Sequence, residues 1–151
     1  MVKHRALRVL IVEDEPLLVM DVEMMVEDAG HLVVAEAASL YDVEAMDPDL
    51  APDLAFVDMH LARGTSGLSV SSLIQRRWKR TLIVFVTANP SMIPRDFAGA
   101  HGVLAKPFSR NGFLSTLNYL EEGICAPPPV SRQPADFVAA EMLLAGWNAP
   151  S

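Results

Sequence analysis

Four short apolar runs in this chain each end on a polar residue capable of chemistry, and that repeated pairing constrains the fold more than any other feature. They are Val9-Leu10-Ile11-Val12 before Glu13-Asp14-Glu15, Leu54-Ala55-Phe56-Val57 before Asp58, Leu82-Ile83-Val84-Phe85-Val86 before Thr87, and Val103-Leu104-Ala105 before Lys106-Pro107. Unbroken apolar runs suit strands buried on both faces, and the segments between them have helical period. The expected class is therefore α/β, a parallel sheet with helices on both sides. In such a sheet the strand ends meet on one edge, where ligands bind. Carboxylates, a hydroxyl and an ammonium are thus predicted to converge there.

With 151 residues, 51% of them hydrophobic, the chain has enough material for one domain with a full core and too little for two ordinary ones. A net charge of -7 argues against direct nucleic-acid binding, because phosphate backbones repel such a surface at long range. The one cysteine, Cys125, has no partner for an internal disulfide. Met1-Val2-Lys3-His4-Arg5 leads straight into a strand without the apolar stretch of a signal peptide. No apolar run approaches the roughly 20 residues that span a bilayer. The expectation is a cytoplasmic protein without a membrane segment.

Pro16 opens a first helix, with Leu17, Met20, Met24 and Val26 expected largely on one side and Gly30 as its stop. A strand near Leu32–Ala35 leads to a helix capped by Ser39, and Asp47-Pro48-Asp49 with Pro52-Asp53 marks the loop into the third strand. After the flexible turn Gly64-Thr65-Ser66-Gly67, a helix buries Leu68, Leu73, Ile74 and Trp78. It ends in the basic run Arg76-Arg77-Trp78-Lys79-Arg80, read as a solvated helix terminus without a site role. Pro90 and Pro94 make any helix after Thr87 short, displaced or irregular. The last helix of the unit is expected over residues 111–122, burying Phe113, Leu114, Leu117 and Leu120. The domain is expected over residues 1–125, followed by a proline-rich linker over 126–134 and an apolar tail over 135–151. Phe137, Met142, Leu143, Leu144 and Trp147 suit either a short docking helix or a frayed terminus.

Carboxylates brought to one point repel unless a cation joins them or their pKa values rise. Oxygen ligands without clustered Cys or His favour Mg²⁺ or Mn²⁺ over zinc. A lysine and a threonine hydroxyl beside such an ion can neutralise and hydrogen-bond phosphoryl oxygens, and a carboxylate can itself accept the group as an aspartyl phosphate.

Taken in order, Ile11-Val12-Glu13-Asp14-Glu15, Phe56-Val57-Asp58, Val86-Thr87-Ala88 and Lys106-Pro107-Phe108 resemble the receiver domain of two-component response regulators, of the single-domain chemotaxis type. The resemblance covers roughly Leu7 to Glu122, and the ordered set of four is far more specific than any fragment. It implies a doubly wound, flavodoxin-like five-stranded parallel sheet in the order 2-1-3-4-5. It implies that Asp58 is the phosphoacceptor and that Asp14 binds the metal directly, with Glu13 assisting and with the backbone carbonyl of His60 as a further ligand. Thr87 and Lys106 would contact phosphoryl oxygens, with Pro107 fixing the lysine's turn. The His60 imidazole is left free, either to tune the lifetime of the phosphoryl group or simply as an exposed loop side chain. Glu15 is read as structural.

Three departures bear on switching: Val103 stands where receivers commonly carry an aromatic, Ala62 where a proline is frequent, and Pro90 and Pro94 where the fourth helix should begin. With only about thirty residues after the receiver-like region, too few for an output domain, the expected role is a single-domain switch or relay. Its donor would be a histidine kinase or histidine phosphotransfer protein, and its target an unidentified downstream protein; a homodimer stays open. Its enzymatic content is limited to self-phosphorylation and slow self-dephosphorylation. A phosphorylation-independent interaction module is the alternative. An aspartyl-nucleophile hydrolase ranks below both, since His60 stands where that chemistry wants a second acid.

Overall fold

The apolar runs become strands because alternate side chains leave a strand on opposite faces, and here both faces are covered. The structure, a computed structural model, describes residues 5–149; the first four residues of the basic N-terminus and the last two of the tail lie outside that range. The sheet contains β1 (Arg8–Val12), β2 (Leu32–Ala37), β3 (Leu54–Asp58), β4 (Leu82–Thr87), β5 (Gly102–Ala105) and β6 (Phe137–Ala139). Their order is β2-β1-β3-β4-β5-β6. The first five strands are parallel neighbours in the expected 2-1-3-4-5 order. The sheet corrects the expected count of five, because β6, formed from tail residues, pairs antiparallel with β5.

Val9 and Ile11 pack with Phe56, Val84, Phe113 and Leu117 on one face, against α1 (Pro16–Asp28) and α4 (Arg110–Cys125). Leu10 and Val12 pack with Val57, Phe85 and Ile74 on the other, against α2 (Leu40–Glu44) and α3 (Gly67–Arg77). Every residue of β3 and β4 is buried, as an unbroken apolar run requires. Ser39 caps α2 by accepting the Asp42 N–H, and Ser109 caps α4 by accepting the Gly112 N–H. The buried face of α1 matches the one expected only at Val26. It is built from Val22, Met25 and Val26, while Leu17, Met20 and Met24 point outward with exposures of 77%, 58% and 58%.

Between β4 and β5 no α-helix forms; two 3-10 turns, Pro90–Met92 and Phe97–Gly99, cover the distance, with Phe97 and Ala98 at positive φ. Two histidines sit one residue before β2 and β5, at the edge opposite the strand C-termini. His31 Nδ1 accepts the Leu7 N–H at 2.9 Å, and His101 Nδ1 accepts the Ile83 N–H at 2.9 Å. Burial pushes both imidazoles below their usual pKa, and for His31 the nearby Glu121 opposes that shift.

The residues expected as a linker bring the chain from α4 back to the sheet edge. Glu122, buried on α4, receives them: its carboxylate accepts the Val130 N–H at 2.9 Å, the Ser131 N–H at 2.7 Å and the Ser131 hydroxyl at 2.6 Å, together with Asn118 Nδ2 at 2.9 Å. After β6, α5 (Glu141–Asn148) lays Leu143 and Trp147 on the α1/α4 side of the core. Among the described residues no helix is long and apolar enough to cross a membrane.

Candidate functional site

The four strand ends deliver what their sequences carry. β1 places Glu13 and Asp14, β3 ends on Asp58, β4 ends on Thr87, and Lys106 follows β5 directly. Ligand oxygens of Glu13, Asp14 and Asp58 lie within 4.8 Å of one another, with Glu13 and Asp58 buried and Asp14 exposed. Lys106 Nζ sits between two of them, 3.0 Å from Glu13 Oε1 and 3.2 Å from Asp58 Oδ2. The Lys106–Pro107 peptide is cis.

The electrostatics follow from burial and crowding. Removal from water, followed by the neighbouring Asp58 carboxylate, pushes the Glu13 pKa up to about 7 against the opposing pull of Lys106 and the Glu15 N–H. Burial alone would lower the Lys106 pKa; its contacts with Glu13 and Asp58 outweigh that and hold it above the usual range. Three carboxylates against one ammonium leave an excess of negative charge in a set of hard oxygen donors. That composition fits Mg²⁺ or Mn²⁺.

Local geometry orients the acids. Glu13 Oε2 accepts the N–H groups of Asp14 at 3.0 Å and Glu15 at 3.2 Å, which gives Glu15 the structural part expected of it. Asp58 Oδ1 accepts the His60 N–H at 3.2 Å. His60 itself is exposed and forms an isolated antiparallel bridge with Ser66, closing the loop after β3. Thr87 Oγ1 accepts the Asn89 N–H at 3.1 Å, an arrangement that leaves the hydroxyl hydrogen available to a ligand. The Lys106 N–H in turn donates to the Thr87 carbonyl at 2.9 Å.

Two contributors escape a reading of the sequence. Gly67 opens α3 directly behind the acceptor: a Cβ there would overlap the Asp58 carbonyl oxygen and lie 2.8 Å from Met59 Cα. Its position in a Gly-rich turn is visible in the sequence, but its approach to Asp58 is not. Beside Lys106 an open groove of about 620 Å³ runs between α1 and the start of α4, floored by Leu18, Met25, Pro107 and Phe108 and edged by Asp21 and Arg110. Val103, 4% exposed, lies opposite Phe85 on β4 and Val138 on β6, so no aromatic ring occupies that place.

A sequence profile described as response regulator receiver domain matches residues 9–118. The chain is 33% identical over 105 residues to the phyllosphere-induced regulator PhyR of Methylorubrum extorquens, a match covering 68% of this chain and 39% of that protein. Among solved structures, the Erythrobacter litoralis PhyR receiver domain superposes with a TM-score of 0.67 at 25% identity, covering 85% of this chain and 95% of that one. The anti-anti-sigma factor PhyR from Bartonella quintana gives a TM-score of 0.61 at 30% identity, covering 75% and 45%. The chain spans less than half the length of the curated relatives it matches.

Proposed function

Because the chain belongs to the response regulator receiver family, we propose that it works as a phosphorylation-controlled switch or relay in which Asp58 accepts a phosphoryl group from a histidine kinase or histidine phosphotransfer protein. The observation that carries this reading is the buried Asp58 carboxylate, with ligand oxygens of Glu13 and Asp14 within 4.8 Å and Lys106 Nζ at 3.2 Å. An Asp58 oxygen attacks phosphorus, the bond from phosphorus to the donor's imidazole nitrogen breaks, and the leaving imidazole keeps the electron pair and takes up a proton. Glu13, Asp14, Asp58 and the His60 carbonyl would hold Mg²⁺ or Mn²⁺, which would supply neutralising charge for the phosphoryl oxygens. Lys106 exchanges its contact with Asp58 for one with a phosphoryl oxygen, and Thr87 donates its hydroxyl to another. Later attack by water on phosphorus breaks its bond to the Asp58 oxygen, releasing inorganic phosphate and returning the free carboxylate. A donor protein would cover the groove lined by Lys106, whose ammonium lies 3.2 Å from Asp58.

The downstream circuit to test first is sigma-factor control, since a relative is described as an anti-anti-sigma factor. The match extends over less than half of that protein, so its role reaches this chain only as part of the proposal.

The test is intact-protein mass after incubation with Mg²⁺ and acetyl phosphate, beside Asp58→Asn and a chelated control. An adduct of one phosphoryl group, lost in both controls, is the expected result; an adduct on Asp58→Asn overturns the assignment. Absence of any adduct on folded, Mg²⁺-binding protein favours the phosphorylation-independent binding module. Val103 speaks for that second reading, because the buried valine offers no ring to reorient on modification.

A further inference from the structure

The proposed chemistry depends on where Lys106 points, and Lys106 sits at the end of a strand only four residues long. On one side β5 is held by β4, through the Lys106 N–H to the Thr87 carbonyl. On the other side the neighbouring strand is β6: the Ala105 N–H donates to the Asp136 carbonyl at 3.3 Å, and the Ala140 N–H to the His101 carbonyl at 2.9 Å. The residue immediately before the lysine is therefore tied to the C-terminal segment. Without β6, β5 would be a short edge strand ending at the site.

The seat for that segment is built into the rest of the molecule. Phe137, 1% exposed, packs with its ring centroid 5.9 Å from that of Tyr119, and a Cβ on Gly102 would lie 2.6 Å from Phe137 Cε1. A Cβ on Gly123 would lie 2.5 Å from Trp147 Cε2, so the indole rests on bare helix backbone. Glu122 holds the incoming turn with the hydrogen bonds already described.

We infer that the C-terminal strand β6 is a positioning element for Lys106, keeping the ammonium aimed at Asp58. The inference rests on the reading of Asp58 as the phosphoacceptor. An ammonium on a frayed strand end samples many placements, and misplacement of a stabilising group by about 1 Å costs rate steeply. Linkage then makes the effect reciprocal: a phosphoryl group that engages Lys106 tightens the hold of β6 on β5.

Alternation along an antiparallel pair turns the Val138 N–H toward β5, while the Val138 side chain is 52% exposed. Val138→Pro in the full chain therefore removes a ladder donor without opening the core, and Val138→Thr keeps that donor. The experiment measures adduct formation from acetyl phosphate and Mg²⁺ by intact mass, together with hydrogen exchange of amides 137–139 and of 103–106. The expected result is uptake slowed about tenfold or more in Val138→Pro, with wild-type uptake in Val138→Thr. In the wild type, exchange at 137–139 slows on phosphorylation, and this slowing is absent in Asp58→Asn. Should Val138→Pro not fold, Phe137→Ala, which empties the ring's seat but keeps every amide, takes its place with the same expectation in weaker form. Uptake at the wild-type rate in the undocked variant, or tail exchange indifferent to the adduct, overturns the inference. No adduct on the wild type overturns instead the reading of Asp58 on which it rests.

Discussion

At the scale of single residues, the site is a problem of excess negative charge solved by one lysine and finished by a ligand. Asp58 cannot shift far, because its own backbone is pressed against the first residue of α3. Gly67→Ala puts a methyl group into the Asp58 carbonyl and the Met59 Cα, both backbone, so either the strand end or the helix must move. The expected cost is about 1–3 kcal/mol in denaturant unfolding, with phosphoryl uptake reduced in parallel. Unchanged stability and uptake would show that the close approach is unimportant. Asp58, Thr87, Lys106, Glu13 and Asp14 are legible in sequence because each stands at the end of an apolar run, and strand ends of one parallel sheet must converge. Gly67 and Glu122 are not. Their roles come from backbone and side chains that approach across the fold, which no local pattern encodes.

At the scale of elements, two helices show why periodicity alone misleads. In α1 the apolar residues Leu17, Met20 and Met24 recur at helical spacing as regularly as Val22, Met25 and Val26, and only the sheet beneath decides which set is buried. In α5, Gly146 faces open space, and a methyl group added there would meet nothing within 4 Å. Gly146→Ala is expected to stabilise the protein by about 0.5–1 kcal/mol through helix propensity, read as a higher unfolding midpoint. β6 is unreadable as a strand in the sequence because three residues give no usable alternation. The starts of β1 and β4 carry a pH dependence of their own. His31 and His101 must be neutral at Nδ1 to accept backbone N–H groups, from Leu7 just before β1 and Ile83 in β4, and burial lowers both pKa values below those of the unfolded chain. The unfolded state then binds protons more tightly, so this stability is complete above the ordinary histidine pKa of roughly 6.5 and is lost as pH falls below it. The contribution of these two groups to the urea midpoint should decline from about pH 7.5 to about pH 5.5, the range that brackets that value, while protonation of Glu13 works in the opposite sense over the same range. The decline should flatten in a His31→Asn, His101→Asn double variant, and an equal slope would exclude these groups as its source.

At the scale of the whole molecule, the segment after α4 is bound to the rest through Glu122 as well as through the sheet. Glu122→Ala strips the acceptor from the Val130 and Ser131 N–H groups and from the Ser131 hydroxyl. The expected loss is about 1–3 kcal/mol, with early protease cleavage in the 126–136 segment before the body of the domain is attacked. A single cooperative transition with no early cleavage would mean that β6 and α5 hold the segment without it. The same segment decides how this sheet can meet another. The outward carbonyl of Phe137 accepts Gln133 Nε2 at 2.9 Å, and the Phe137 N–H donates to the Pro134 carbonyl, so at Phe137 the outer rim of β6 is occupied by its own chain. β2, at the other end, has no strand beyond it among the described residues. A polymer built by laying strand against strand needs two adhesive rims on each unit, whereas here one of the two is partly blocked. Strand-against-strand association is therefore expected to favour a pair joined through β2 over a longer stack.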